Sequence, residues 1–254
     1  MQLRYIVGLI ISFLVMSPGV FGYGISPMNM TLEPFGKGSA NSFYLENKSD
    51  DAVQIEISIS KRMLDENGVE TTANLDPKED AFEFFPPMLT LKPHDKRAVR
   101  VFYKGNPDAP KEKAYRMFVT QLDIRDHEKE KGKNTMHFLM RYEPSLYVAS
   151  KESKSDVNIV ETTRVSGKDG TQKLKIVFRN KGTAHENLTD YNIKLRSKKG
   201  DHAVLYTISW SALNKLQGQK PLNVFAGQNR VLFLDWQTQF PNENVMGEIE
   251  HIEN

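Results

Sequence analysis

Val53-Gln54-Ile55-Glu56-Ile57-Ser58-Ile59-Ser60 decides the fold class. Apolar and polar residues alternate without a break, and a period of two marks a strand with one face buried and the other in water. Each apolar position is Val or Ile, whose branched Cβ suits a pleated surface. Working outward, short runs of strand character recur at 28–32, 41–46, 82–85, 88–91, 97–103, 115–124 and 136–148, parted by Pro, Gly and Asn turns. Strands at this density over roughly 120 residues predict an immunoglobulin-like sandwich. After a polar linker around Lys151-Glu152-Ser153-Lys154-Ser155, further runs at 158–165, 173–179, 190–196, 203–209, 229–234 and 245–252 predict a second β-rich unit. Residues 211–216 are the one helix candidate. The reading is all-β: two immunoglobulin-like β-sandwich domains, at 23–150 and 157–254.

The first 22 residues read as a secretory signal. Arg4 supplies the positive start, 6–16 the apolar run, and Ser17-Pro18-Gly19-Val20-Phe21-Gly22 a helix break with small residues for cleavage after Gly22. The apolar run is short for a bilayer span, so the mature chain is not expected to insert in a membrane. What remains is long for one sandwich and comfortable for two. Lys+Arg total 34 against 32 Asp+Glu, and this balance does not suggest nucleic acid or a membrane surface as a partner. Cysteine is absent, which excludes thiol catalysis and thiolate metal sites. In an exported chain it fits bacterial secretion into the periplasm.

No enzyme is expected. The six histidines are scattered singly, and no nucleophile elbow, paired-histidine motif or phosphate-cradling glycine loop occurs. No catalytic residue, cofactor or metal is assigned. Met136, His137 and Met140 combine thioethers with an imidazole, a set that suits copper(I). In one regular strand, however, His137 faces away from both methionines. A periplasmic copper-binding protein therefore stays a secondary alternative.

Two other features carry a function. The charged run 125–134 leads into Met136, Phe138, Met140 and Tyr142, which share one face of an extended strand, with His137, Leu139 and Arg141 on the other. Such a row either covers its own core or is lent to a partner. Arg116 and Arg141 sit inside strands, where a guanidinium is either solvated or gripping an anion with its charge-assisted fork.

Taken in order, several segments resemble the periplasmic chaperones of chaperone–usher pilus pathways, the PapD-like superfamily. They are Ile25-Ser26-Pro27-Met28-Asn29-Met30-Thr31-Leu32-Glu33-Pro34, Phe84-Phe85-Pro86-Pro87-Met88-Leu89-Thr90-Leu91-Lys92-Pro93, Ala98-Val99-Arg100-Val101-Phe102-Tyr103, Ala114-Tyr115-Arg116-Met117-Phe118 and Arg141-Tyr142-Glu143-Pro144-Ser145-Leu146-Tyr147-Val148. The Tyr115-Arg116 pair is similar to the archaic and alternative branches. The resemblance implies a chaperone that lends a strand to fimbrial (pilus) subunits and delivers them to an outer-membrane usher. Met136, Phe138, Met140 and Tyr142 would be the apolar plugs. It also implies a site for the subunit's C-terminal carboxylate. The best-known branch builds that site from an arginine in the first strand and a lysine late in the seventh. The matching positions here are Asn29 or Met30, and Ser145, none of them basic. Arg116 and Arg141 are the expected substitutes, with Arg97 or Arg100 behind them. A secreted immunoglobulin-like adhesin or structural binding module is the competing reading.

Overall fold

The computed structural model describes residues 22–123, 138–167, 170–217, 221–241 and 245–252. The predicted signal segment, apart from Gly22, and both Met136 and His137 lie outside them.

In the first half the strands are β1 (Tyr23–Ser26), β2 (Asn29–Leu32), β3 (Ala40–Asn47), β4 (Val53–Leu64), β5 (Glu70–Ala73), β6 (Phe82–Phe85), β7 (Met88–Leu91), β8 (Lys96–Tyr103), β9 (Lys113–Leu122), β10 (Arg141–Tyr142) and β11 (Ser145–Val148). One sheet runs β1-β3-β8-β6 and the other β2-β11-β9-β4-β5, with β7 also on β4 and β10 also on β9. The alternation in β4 has its predicted effect. Val53, Ile55 and Ile57 are buried while Gln54 and Glu56 face outward. They meet Phe43, Leu45, Val99 and Val101 of the facing sheet and Tyr115, Met117, Val119 and Leu146 of their own. Each such side chain contributes roughly 1.5–3 kcal/mol by leaving water.

The second half holds β12 (Val157–Ser166), β13 (Gln172–Asn180), β14 (Glu186–Asn187), β15 (Tyr191–Ser197), β16 (Val204–Ile208), helix α1 (Trp210–Gln217), β17 (Asn223–Val224), β18 (Asn229–Asp235) and β19 (Val245–His251). Its sheets, β12-β13-β18 and β16-β15-β19, enclose Leu174, Ile176, Phe178, Ile193, Leu195 and Leu232. The two halves form a two-domain, all-β chain.

Two departures from the sequence expectations matter for the site. β4 continues past Ser60 to Leu64 and turns through Asp65–Val69 into β5. Gly68 takes a positive φ of 75° in that turn, a conformation that favours glycine. The expected single strand at 136–148 is broken: β10 ends at Tyr142 and β11 begins at Ser145, on either side of Glu143-Pro144. Proline has no N–H for a ladder bond, so only its carbonyl pairs there, accepting from the Met117 N–H at 3.1 Å.

The domains are joined through the β4–β5 hairpin. Leu64, Ala114 and Tyr147 of the first domain cluster with Phe225 of the second. At the hairpin tip the Val231 N–H donates to the Glu66 carbonyl at 2.6 Å. The buried Arg230 guanidinium donates to the carbonyls of Glu66, Val231 and Pro221, each at 3.1 Å. On the other side, the His185 ring nitrogen Nδ1 lies 2.6 Å from the Glu112 carboxylate, and the imidazole stacks on Tyr147.

Asp80 is the buried carboxylate of the first core. The Tyr115 hydroxyl donates to it at 2.6 Å, and Lys61 and Lys113 stand 3.3 and 3.5 Å away. Burial pushes its pKa up, but the Tyr115 hydroxyl, the Asp76 backbone N–H and the two lysines outweigh burial and hold it below the ordinary value. A depressed carboxyl contributes stability above its unfolded-state pKa and loses that contribution as pH falls through the folded-state value. The melting temperature is therefore expected to drop on acidification below about pH 4. In Asp80→Asn it should start lower, by about 3 kcal/mol of stability, and fall less steeply over the same range. Parallel slopes in the two proteins would take this role from Asp80.

Candidate functional site: an open sheet edge beside an arginine cleft

β9 alternates between two faces. Tyr115, Met117 and Val119 point into the core, while Arg116 and Phe118 point out. Register then decides their neighbours, because residues paired across strands share a face. Arg116 lies opposite Ser60 of β4 and Ser145 of β11, and Arg141 lies opposite Thr120.

The structure brings Arg116 and Arg141 into one cleft of 510 Å³, with Glu70, Thr72, Phe118 and Glu143 on its walls. Their states differ. Arg116 is only 13 % exposed at its side chain. Its Nε donates to Glu70 Oε1 at 2.8 Å, and its Nη2 to Glu70 Oε1 and Oε2 at 2.6 and 2.7 Å. Its Nη1 donates to the Glu143 carbonyl at 2.8 Å and Ser145 Oγ at 2.9 Å. These contacts engage all three nitrogens of the guanidinium. Arg141 is half exposed, lies over the Phe118 ring at 4.1 Å and pairs with Glu143 at 3.1 Å.

Sequence reasoning missed two members of this cluster, Arg62 and Glu70. Arg62 is buried, its side chain 3 % exposed. Its Nε donates to Glu70 Oε2 at 2.8 Å and its Nη1 to the Tyr147 hydroxyl at 2.8 Å. Its guanidinium sits over Phe225 of the second domain. One carboxylate is thus shared by two guanidinium groups. The signal for the missing hairpin was present in Asp65-Glu66-Asn67-Gly68, a turn sequence that folds β5 back on β4.

The positions where the resemblance expects basic residues lie in a second cleft of 440 Å³ between the domains, lined by Asn29, Met30, Ser145, Tyr147, His185 and Asn223. Met30 itself is buried. Arg97 is on the opposite sheet and pairs with Asp95 at 2.8 Å. Among the described residues, no group of three His, Asp or Glu could hold a metal ion.

The apolar row also has a defined place. β10 pairs with β9 alone, and the Met140 carbonyl accepts from Gln121 N–H at 3.0 Å. β2 runs beside β11, with Asn29 opposite Ser145 through Leu32 opposite Val148, and no strand among the described residues continues it along β10. Among the described residues the outer edge of β10 is therefore open. Phe138 is 78 % exposed and Leu139 53 %. Met140 and Tyr142 instead half-settle on their own core. The Tyr142 hydroxyl donates to the Tyr23 carbonyl at 2.6 Å, and the two rings meet edge to face. Burial, with Tyr142 alongside, pushes the Tyr23 hydroxyl well above the usual phenol range. It donates to the Val119 carbonyl at 2.5 Å. The row thus divides: Phe138 projects freely, while Met140 and Tyr142 already have partners.

Comparison with known proteins places these features. Residues 31–154 match the family model for the N-terminal domain of PapD, the pili and flagellar-assembly chaperones. The first domain is thus similar to the N-terminal domain of pilus chaperones. Similar solved structures extend the likeness over both domains. The class 5 fimbriae chaperone CfaA is 13 % identical, with 92 % of this chain and 100 % of that one covered at a TM-score of 0.55. The complex of CsuC with the tip subunit CsuE, from archaic Csu pili of Acinetobacter baumannii, is 14 % identical, with 83 % and 89 % covered at 0.51. The SafB chaperone with the SafA pilin of Salmonella enterica is 10 % identical, with 85 % of each chain covered at 0.52. At such identities the likeness is one of fold. No curated protein matches the chain by sequence.

Proposed function

We propose that this protein is a periplasmic chaperone that stabilises pilus subunits by donor-strand complementation and passes them to an outer-membrane usher. The open outer edge of β10 is the observation that carries this reading, and the matched family model supports it. A subunit that lacks a strand exposes both its core and a backbone edge. A lent strand pairs with that edge while its apolar side chains fill the groove. Phe138 is the free plug. Met140 and Tyr142 follow along the same row, and Met136 precedes them in sequence. Met140 suits the task because a thioether adapts its shape to related grooves. The signal-like start supports export, and no described helix is long and apolar enough to cross a membrane. Neutral residues at 29, 30 and 145, with the Tyr115-Arg116 pair, favour the archaic and alternative branches.

The subunit's terminal carboxylate would be received in the cleft of Arg116 and Arg141. Co-expression with a pilus subunit bearing an affinity tag should yield a complex in the periplasmic fraction, with the chaperone starting at Tyr23. Arg141→Ala removes a half-exposed side chain, so it should fold normally yet release subunit faster, by about 2–5 kcal/mol. Arg116→Ala should lose subunit recovery as well. Undiminished recovery with both variants would move the anchor elsewhere, and no complex in the periplasmic fraction would end the chaperone reading.

A further inference from the structure

We propose that Glu70 is a resident carboxylate that occupies the Arg116 fork in the empty protein, and that Arg62 holds it when a subunit's carboxylate takes its place. This rests on the carboxylate-receiving cleft proposed above. Glu70 takes Nε and Nη2 of Arg116, and Glu143 and Ser145 take Nη1. A guanidinium so engaged has no free pair of adjacent donors to grip a second carboxylate. An arriving anion must therefore displace Glu70.

Arg62 makes that exchange feasible. Its Nε already holds Glu70 Oε2 at 2.8 Å, independently of Arg116. Being nearly fully buried, it is out of reach of an incoming chain end. Glu70 can release Arg116 and still be neutralised by Arg62, so the exchange leaves no buried charge unpaired. Arg141, half exposed, with its Nε on Glu143, can then meet the newcomer beside Arg116. Glu70 sits on β5, the return strand of the hairpin that anchors the second domain. In the empty protein it keeps two like charges folded side by side. In the loaded protein it sets how strongly a carboxylate must bind to win the fork.

The test uses the full mature chain and a short peptide of alternating valine and threonine, made with a free C-terminal carboxylate and as the C-terminal amide. Binding of the amide reports edge pairing alone. The ratio of acid to amide affinity reports the fork. Glu70→Gln keeps the shape and removes the competing charge, and should raise that ratio about tenfold. In wild type, the acid peptide should shift the Arg116 Nε–H resonance and leave Arg62 Nε–H bonded, while the amide shifts neither. The resonance experiment stands even if Glu70→Gln folds poorly. An unchanged or lower ratio, with Arg116 Nε–H unmoved by the acid, would overturn the exchange while amide binding keeps the open-edge reading intact. Failure of both peptides to bind any form would overturn both.

Discussion

Phe138→Asp is expected to leave the free chaperone folded, with an unchanged melting temperature, while subunit affinity falls about a hundredfold or more. The free protein tolerates the change because Phe138 is 78 % exposed and belongs to neither core. The complex does not, because a side chain that leaves water on binding contributes roughly 1.5–3 kcal/mol, and a carboxylate forced into an apolar groove adds a desolvation cost. Met140→Asp is a weaker test of the same idea. Met140 half-packs on the chaperone's own core, so its loss mixes stability with binding. Thermal melting and quantitative subunit capture on the single variant separate the two contributions. Capture equal to wild type would show that the donated segment does not include Phe138.

The largest effect on stability is expected at Arg230. Arg230→Ala should cost about 3–5 kcal/mol and split thermal unfolding into two transitions, one per domain. Its guanidinium ties the Glu66 carbonyl of the hairpin to the Val231 and Pro221 carbonyls of the second domain. Burial holds its pKa below the ordinary value against the opposing charge of Asp65. Its Nε has no hydrogen-bond partner, so the residue already carries a desolvation cost that only a structural role offsets. Truncation would take a donor from all three carbonyls, leaving Glu66 only its Val231 N–H, and open a cavity against Gly68, which backs onto the guanidinium. Arg230→Met, which restores bulk without donors, should recover less than half of the loss. Calorimetry on both variants checks this, and a single transition within about 0.5 kcal/mol of wild type would refute the strut.

Much of the molecule was legible in the chain. The Val53–Ser60 alternation, the spaced turns and the polar linker fixed an all-β, two-sandwich reading, because side-chain alternation and turn chemistry are local. Arg116 and Arg141 stood out as candidates because a guanidinium inside a strand is either solvated or paired, but which of the two holds depends on register. The fourth-strand extension and the Pro144 break were partly hidden, since pairing can stop or continue without a change in composition. Arg62 and Glu70 were not legible as partners of Arg116. Glu70 is 46 residues from Arg116 in sequence, and their meeting depends on the register of β5 on β4 and of β4 on β9. The openness of the β10 edge is equally non-local, because it depends on where β2 begins beside β11. Local sterics and hydrophobic period are written residue by residue and determined the strands. The resident carboxylate and the unpaired edge exist only once strands from distant parts of the chain are laid side by side, and tertiary structure alone decided them.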